Sequence, residues 1–182
     1  MSGEAPARRV LPDGSPIDVR PLERTDRAGL EHAISRLSDR SRYLRFASAK
    51  PRLSDRELDR LLDVDHHERE ALLAVDALTG RGIAVVRYAK VPGERGAVEV
   101  AVTVADEWQG RGLGSALLGE IMERARAEGH STLRATVLAV NDRSIAMLRK
   151  AGFTPRSGGG VLREYELPLG RSGLPTASGK NA

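Results

Sequence analysis

Between residues 98 and 127 the hydrophobic period of the chain changes once, and the rest of the chain is ordered around that change. Val98, Val100, Val102 and Val104 alternate with Glu99, Ala101 and Thr103, the two-residue period of a strand with one apolar face. After a stretch holding Gly110, Gly112 and Gly114, apolar residues recur at three- and four-residue spacing as Leu113, Leu117, Leu118, Ile121, Met122 and Ala125. This predicts an amphipathic helix, with Gly129 as its stop. A glycine turn feeding a helix N-terminus leaves backbone N–H groups unpaired at the positive end of the helix dipole, so it predicts a phosphate seat.

Upstream, residues 1–16 show no period and predict a mobile arm. A strand follows over 17–22, then a helix capped by Thr25 or Asp26 and carrying Leu30, Ala33, Ile34 and Leu37. A second helical piece covers 38–46, Pro51 ends the region, and a third helix over 54–62 opens on a capping box of Ser54 and Glu57. Strands over 71–77, 82–91 and 97–105 form an antiparallel meander leading to the glycine turn. Beyond the long helix come a strand over 132–140, Asn141 as an N-cap, a helix with Ile145 and Leu148 stopped by Gly152, and a strand over 161–169. The chain thus reads as one domain over 17–169, between the arm and a Gly, Ser and Pro-rich tail over 170–182.

Composition narrows the function without changing this outline. With 40% hydrophobic, 30% charged and only 3% aromatic residues, the core of a soluble domain must be built from Leu, Val and Ala. The net charge of +4 is spread among interleaved Arg, Asp and Glu, with no basic patch carrying aromatic residues, so an anionic ligand is expected and a nucleic acid is not. The absence of cysteine excludes disulfides, zinc–thiolate sites and a cysteine nucleophile. No apolar run approaches a membrane span, and a cytoplasmic protein without a membrane partner is expected. His66 and His67 are adjacent, project apart and lack a second ligand pair, so they predict a loop or capping role and no metal.

Two phosphate-binding motifs fail on spacing. Gly110, Gly112 and Gly114 form G-x-G-x-G, whereas a dinucleotide fingerprint needs G-x-G-x-x-G and an acidic residue ending the next strand; here that strand ends in Val140-Asn141. A Walker A loop would need Gly-Lys-Ser or Gly-Lys-Thr. Gln109-Gly110-Arg111-Gly112-Leu113-Gly114, in contrast, resembles the acyl-CoA signature of the GCN5-related N-acetyltransferase (GNAT) family, and Asn141, Ala146, Leu148, Lys150, Gly152 and Phe153 resemble that family's second signature. The resemblance implies an α/β fold with a mixed, largely antiparallel sheet of about six to seven strands and about four helices. It also implies acetyl-CoA as co-substrate. The pyrophosphate would lie at the signature and Ser115, and the pantetheine arm along Val102, Thr103 and Val104 beside Asn141, in a slot opened by splayed strands.

Acetyl transfer to an amine needs the neutral amine, and a lysine has an ordinary pKa near 10.4, so a base is expected. Glu99 is the candidate: it stands among small residues on the strand leading to the thioester, where desolvation would raise its pKa. A structural ion pair of Glu99 with Arg87 or Arg134 is the alternative. The second signature's tyrosine, a general acid in many members, is replaced by Leu148, which favours a base-only mechanism. The segments LSDRSRYLRF, LSDREL and VDHHEREALLAVD resemble bacterial protein lysine acetyltransferases that modify acyl-CoA synthetases. That implies acceptor-side positions for Arg42, Tyr43, Arg45 and Phe46, which by residue type alone read as solvated arginines and core aromatics. The expected activity is acetylation of a protein lysine by a monomer or homodimer. The alternatives are a small-molecule amine acetyltransferase, or a non-catalytic acyl-CoA-binding regulator.

Overall fold

The computed structural model describes residues 5–46, 53–156 and 159–170. In chain order it contains β1 (Ala7–Val10), β2 (Pro16–Pro21), α1 (Arg27–Ser35), α2 (Asp39–Phe46), α3 (Asp55–Leu62), β3 (Arg69–Asp76), β4 (Gly82–Lys90), β5 (Ala97–Val104), α4 (Leu113–Ala127), β6 (Thr132–Leu138), α5 (Asp142–Lys150), β7 (Thr154–Pro155) and β8 (Leu162–Pro168). Short 3-10 turns at Arg24–Asp26 and Asp106–Trp108 precede α1 and α4. The strands form one open sheet in the order β1-β2-β3-β4-β5-β6-β8-β7. Every neighbouring pair is antiparallel except β5 and β6. These two are parallel because α4 carries the chain back across the sheet between them.

The two-residue period in β5 sorts its side chains between two layers. Val98 and Val100 are buried against α4, whose Leu117, Leu118 and Ile121 share the larger core with Tyr88 and Leu133. On the opposite face, Leu30, Ile34, Leu58 and Leu62 from α1 and α3 cover Ala71 and Leu73 of β3. Ser54 caps α3 through its Oγ, and the Glu57 side chain accepts from the Ser54 N–H, so the expected capping box is present.

The expected arm over 1–16 is corrected by β1, which pairs with β2 through a turn at Gly14, where φ is +84°. Leu11 enters the core, and Arg9 reaches Glu120 on α4 at 3.0 Å. The charged sequence Ala-Arg-Arg-Val shows no apolar face, which is why this edge strand leaves no periodic signal. Among the described residues there are eight strands and five α-helices, against about six to seven and about four expected, the additional strands being β1 and the two-residue β7. Residues 1–4, Pro51 and the tail beyond Gly170 lie outside the described residues.

Candidate functional site

The parallel ladder between β5 and β6 has three rungs, Ala97↔Thr132, Val98↔Leu133 and Glu99↔Arg134, and stops there. Beyond it β5 stays paired to β4 as far as Val104↔Ala84, and β6 stays paired to β8 as far as Leu138↔Leu162. Each strand is thus held on its outer edge while the inner edges part. The opening is a cleft of about 840 Å³ whose walls include 100–104 of β5 and 135–137 of β6. An unpaired strand edge presents backbone donors and acceptors to an extended ligand carrying amides.

The glycine turn closes one end of this cleft. Gly110 and Gly112 have φ of +82° and +86°, values that favour glycine, and Gly112 is the N-cap of α4. A glycine cap offers no side-chain acceptor, and the first backbone bond of the helix runs from Ala116 N–H to Gly112 O at 3.0 Å. The N–H groups of Leu113, Gly114 and Ser115 therefore have no acceptor within the helix, which suits them to an anion. Gln109, Gly110, Gly112, Gly114, Ser115 and Asn141 line the cleft. The Leu113 side chain is buried in the core, and the Arg111 guanidinium turns away, 4.8 Å over the Trp108 ring and 3.7 Å from Asp13. Asn141 caps α5, its Oδ1 accepting from Ser144 N–H at 3.2 Å, while Leu148 is buried in the core.

A polar latch that the sequence did not signal ties the turn to the early helices. Asp106 accepts from Ser38 N–H at 2.7 Å, from the Ser41 hydroxyl, and from Gln109 Nε2 at 2.9 Å. Gln109 Nε2 also lies 3.1 Å from Val104 O, and its Oε1 accepts from Arg143 Nη1 at 2.6 Å. The amide of Gln109 is therefore committed to joining β5, α2 and α5. Burial pushes the Asp106 carboxyl up, but the hydrogen bonds from Ser41 and Ser38 outweigh it and hold the group below its ordinary range. Such a depressed carboxyl contributes stability that is complete above the unfolded-state value and fades as pH falls through the folded one. Asp106→Ala is expected to lower the unfolding free energy by about 1–2 kcal/mol. Urea denaturation reads this change, and a loss below about 0.5 kcal/mol, the scale of a neutral surface change, would contradict the latch.

Glu99 sits at the last rung of the parallel ladder, on the sheet face that carries α1–α3, as its cross-strand neighbour Ala89 and the adjacent Arg87 do. It is exposed, so the desolvation expected from the sequence is absent. The alternative ion pair is absent too. Arg134 pairs with Glu94, and Arg87 Nη2 donates to Arg60 O at 3.3 Å.

Of the four acceptor-side candidates, only Arg45 reaches the cleft. Its Nε donates to Thr103 Oγ1 at 2.7 Å, and its guanidinium stands 5.0 Å over Phe46. Burial and the neighbouring Arg87 bring Arg45 down to about 10, against the opposing pull of Glu99. Arg42 pairs with Asp39, and Tyr43 is 42% exposed. A smaller cavity of about 160 Å³, lined by Arg45 and Phe46, lies between α1, α2 and the sheet.

His66 has φ of +60°, and its Nδ1 stands 3.0 Å from buried Glu70; His67 Nδ1 is 2.7 Å from Glu128. Both hold the entry to β3. Among the described residues no cluster of His, Asp or Glu could hold a metal ion, and no helix is long and apolar enough to cross a membrane.

Comparison with known proteins adds independent findings. Residues 33–153 match the family model described as "Acetyltransferase (GNAT) family". Acetyltransferase PA5475 of Pseudomonas aeruginosa is 35% identical over 133 residues, covering 72% of this chain and 71% of that protein. The crystal structure of the GNAT domain of S. lividans PAT superposes with a TM-score of 0.82 at 34% identity, covering 90% of this chain and 96% of that one. A shorter match, 44% identical over 61 residues, is to an L-methionine sulfoximine/L-methionine sulfone acetyltransferase of P. aeruginosa, and it spans 34% of this chain and 36% of that protein.

Proposed function

The chain belongs to the acetyltransferase (GNAT) family, an acyltransferase with acetyl-CoA as co-substrate, and from that premise we propose that it acetylates lysine side chains of proteins such as acyl-CoA synthetases. The observation that carries the site assignment is the end of the β5–β6 ladder at Glu99↔Arg134, beyond which a slot opens between the two strands. In this reading the pyrophosphate rests on the free N–H groups of Leu113, Gly114 and Ser115, and the pantetheine arm runs along Val102, Thr103 and Val104 beside Asn141. The backbone of Gly110, Arg111 and Gly112 shapes the turn, and Gln109 holds it in place. Glu99, directly or through a water, takes the proton from the attacking amine, the acetyl C–S bond breaks, and coenzyme A leaves as the thiolate. A thiol of ordinary acidity needs no enzymic acid to leave, consistent with Leu148 at the position of the family's tyrosine.

The protein-lysine assignment is supported by the resemblance of residues 37–46, 53–58 and 64–76 to bacterial protein lysine acetyltransferases. A second reading, a small-molecule amine acetyltransferase, is favoured by the cavity beside Arg45 and Phe46, which is large enough for a side chain or a small metabolite. Incubation with acetyl-CoA and a soluble proteome, followed by mass spectrometry for acetylated lysines and small amines, separates the two. Acetylation of protein lysines above an enzyme-free control is expected; small amines alone would establish the second reading.

A further inference from the structure

Three arginines line the small cavity between α1, α2 and the sheet, and they differ in one respect. Arg20 is neutralised by Asp26, with Nη2 2.6 Å from a carboxylate oxygen. Arg45 and Arg87 form no ion pair among the described residues. Arg45 spends its Nε on the Thr103 hydroxyl, and Arg87 spends one Nη on the Arg60 carbonyl. The remaining donors of the two half-buried guanidinium groups have no carboxylate at ion-pair distance among the described residues; Arg45 lies in the field of Arg87, opposed by Glu99, and Arg87 in that of Arg69, opposed by Asp63. Partly desolvated charges of one sign are costly unless a counter-charge completes them. A guanidinium fork matches a carboxylate in shape and charge.

We propose that Arg45 and Arg87 form an anion subsite that receives a carboxylate carried by the acceptor. The subsite is separate from the seat at the N-terminus of α4, because the cavity lies on the α1–α3 side of the sheet and α4 covers the other. It adjoins the transfer position. Arg87 stands opposite Ala101, two residues from Glu99 on the same face, and Arg45 lines both the cavity and the cleft. Leu30, Ile34 and Val85 give the cavity an apolar wall, suited to the methylenes of a short arm, while its one carboxylate, Asp26, is held by Arg20. The acceptor therefore enters with its amine toward Glu99 and its carboxylate toward the arginines. On a protein this selects a lysine beside an Asp or Glu; among small molecules it selects amino acids. The inference rests on the acceptor approaching the α2 face, as in the proposed function.

The test uses the full chain at saturating acetyl-CoA, with lysine peptides differing only by Glu or Gln beside the lysine, and free amino acids against their amides. The wild type is expected to favour the carboxylate-bearing partner by about tenfold or more in kcat/KM, the scale of a charged hydrogen-bond pair. In the Arg45→Gln/Arg87→Gln variant the ratio of the two kcat/KM values falls to near unity, whatever the variant's overall rate. Arg87→Lys keeps the charge without the fork and restores part of the preference. The inference is overturned by an absence of preference in the wild type, or by a preference that survives in the double variant. Turnover of amino acids but of no peptide removes the protein-lysine reading and leaves the subsite standing. Calorimetry with N-acetylglutamate, which has no free amine, decides the matter without turnover: binding to the wild type that is lost in the double variant supports the subsite, and no binding to the wild type overturns it.

Discussion

Gly114→Leu is expected to weaken acetyl-CoA binding by at least about 100-fold, equivalent to about 2.8 kcal/mol, while leaving the protein folded. A Cβ at Gly114 would stand 3.2 Å from Met147 Sδ, 3.7 Å from a Val104 methyl and 3.8 Å from a Val102 methyl, so this glycine lies where α4, α5 and the edge of β5 converge. A single methyl, as in Gly114→Ala, meets the end of a flexible thioether that yields, and a loss of less than about tenfold is expected. The branched end of leucine has to enter the cleft, between the free N–H groups and the strand edge that hold the cofactor in the proposed function. The backbone tolerates the change: Gly114 has no positive φ, and leucine is a better helix former than glycine by about 0.8 kcal/mol. A retained thermal midpoint with a lost calorimetric signal for acetyl-CoA separates a blocked site from an unfolded one. Wild-type affinity in the leucine variant would mean that the cofactor does not pass this residue.

The residues around Gly114 also show what is legible in the sequence. The strand, turn and helix from Val98 to Ala127 are visible because each obeys its own short period, and because glycines at 110 and 112 are required where the observed φ is positive. The splay of β5 from β6 has no such signature. It depends on where a ladder between distant segments stops, and both strands alternate in the same way on either side of Glu99↔Arg134. The latch at Asp106 is hidden for a related reason: its partner Ser41 is 65 residues away, and both look like ordinary turn and helix-surface residues. The exposure of Glu99 is not legible in the sequence, because a strand pattern gives the face of a residue but not what covers that face. Here α1 and α3 pack over β3 and leave the end of β5 open.

Glu99→Gln is expected to reduce kcat by about 100-fold or more at neutral pH, within the 10²–10⁴ range of general-base catalysis. A lysine amine with its ordinary pKa is neutral in only about one molecule in a few thousand at pH 7, so in the proposed function Glu99, at the rung where the slot begins, accepts the proton that the attacking amine must shed. Exposure makes this role simpler than the sequence suggested: a solvated carboxylate next to the transfer position has water available as a relay, and the amide of glutamine keeps its shape but cannot accept the proton. Because the residue is exposed and outside the cleft lining, the substitution should leave stability within about 0.5 kcal/mol and the KM for acetyl-CoA unchanged. The residual activity of the variant should rise with pH toward the pKa of the amine, as hydroxide and bulk solvent replace the lost base. The competing role for Glu99 is to temper the field of Arg45, which feels it. That role makes a different prediction, a change in acceptor KM with kcat retained, so a kcat within twofold of wild type would remove Glu99 from the proton path and leave it as part of the acceptor's electrostatic surroundings.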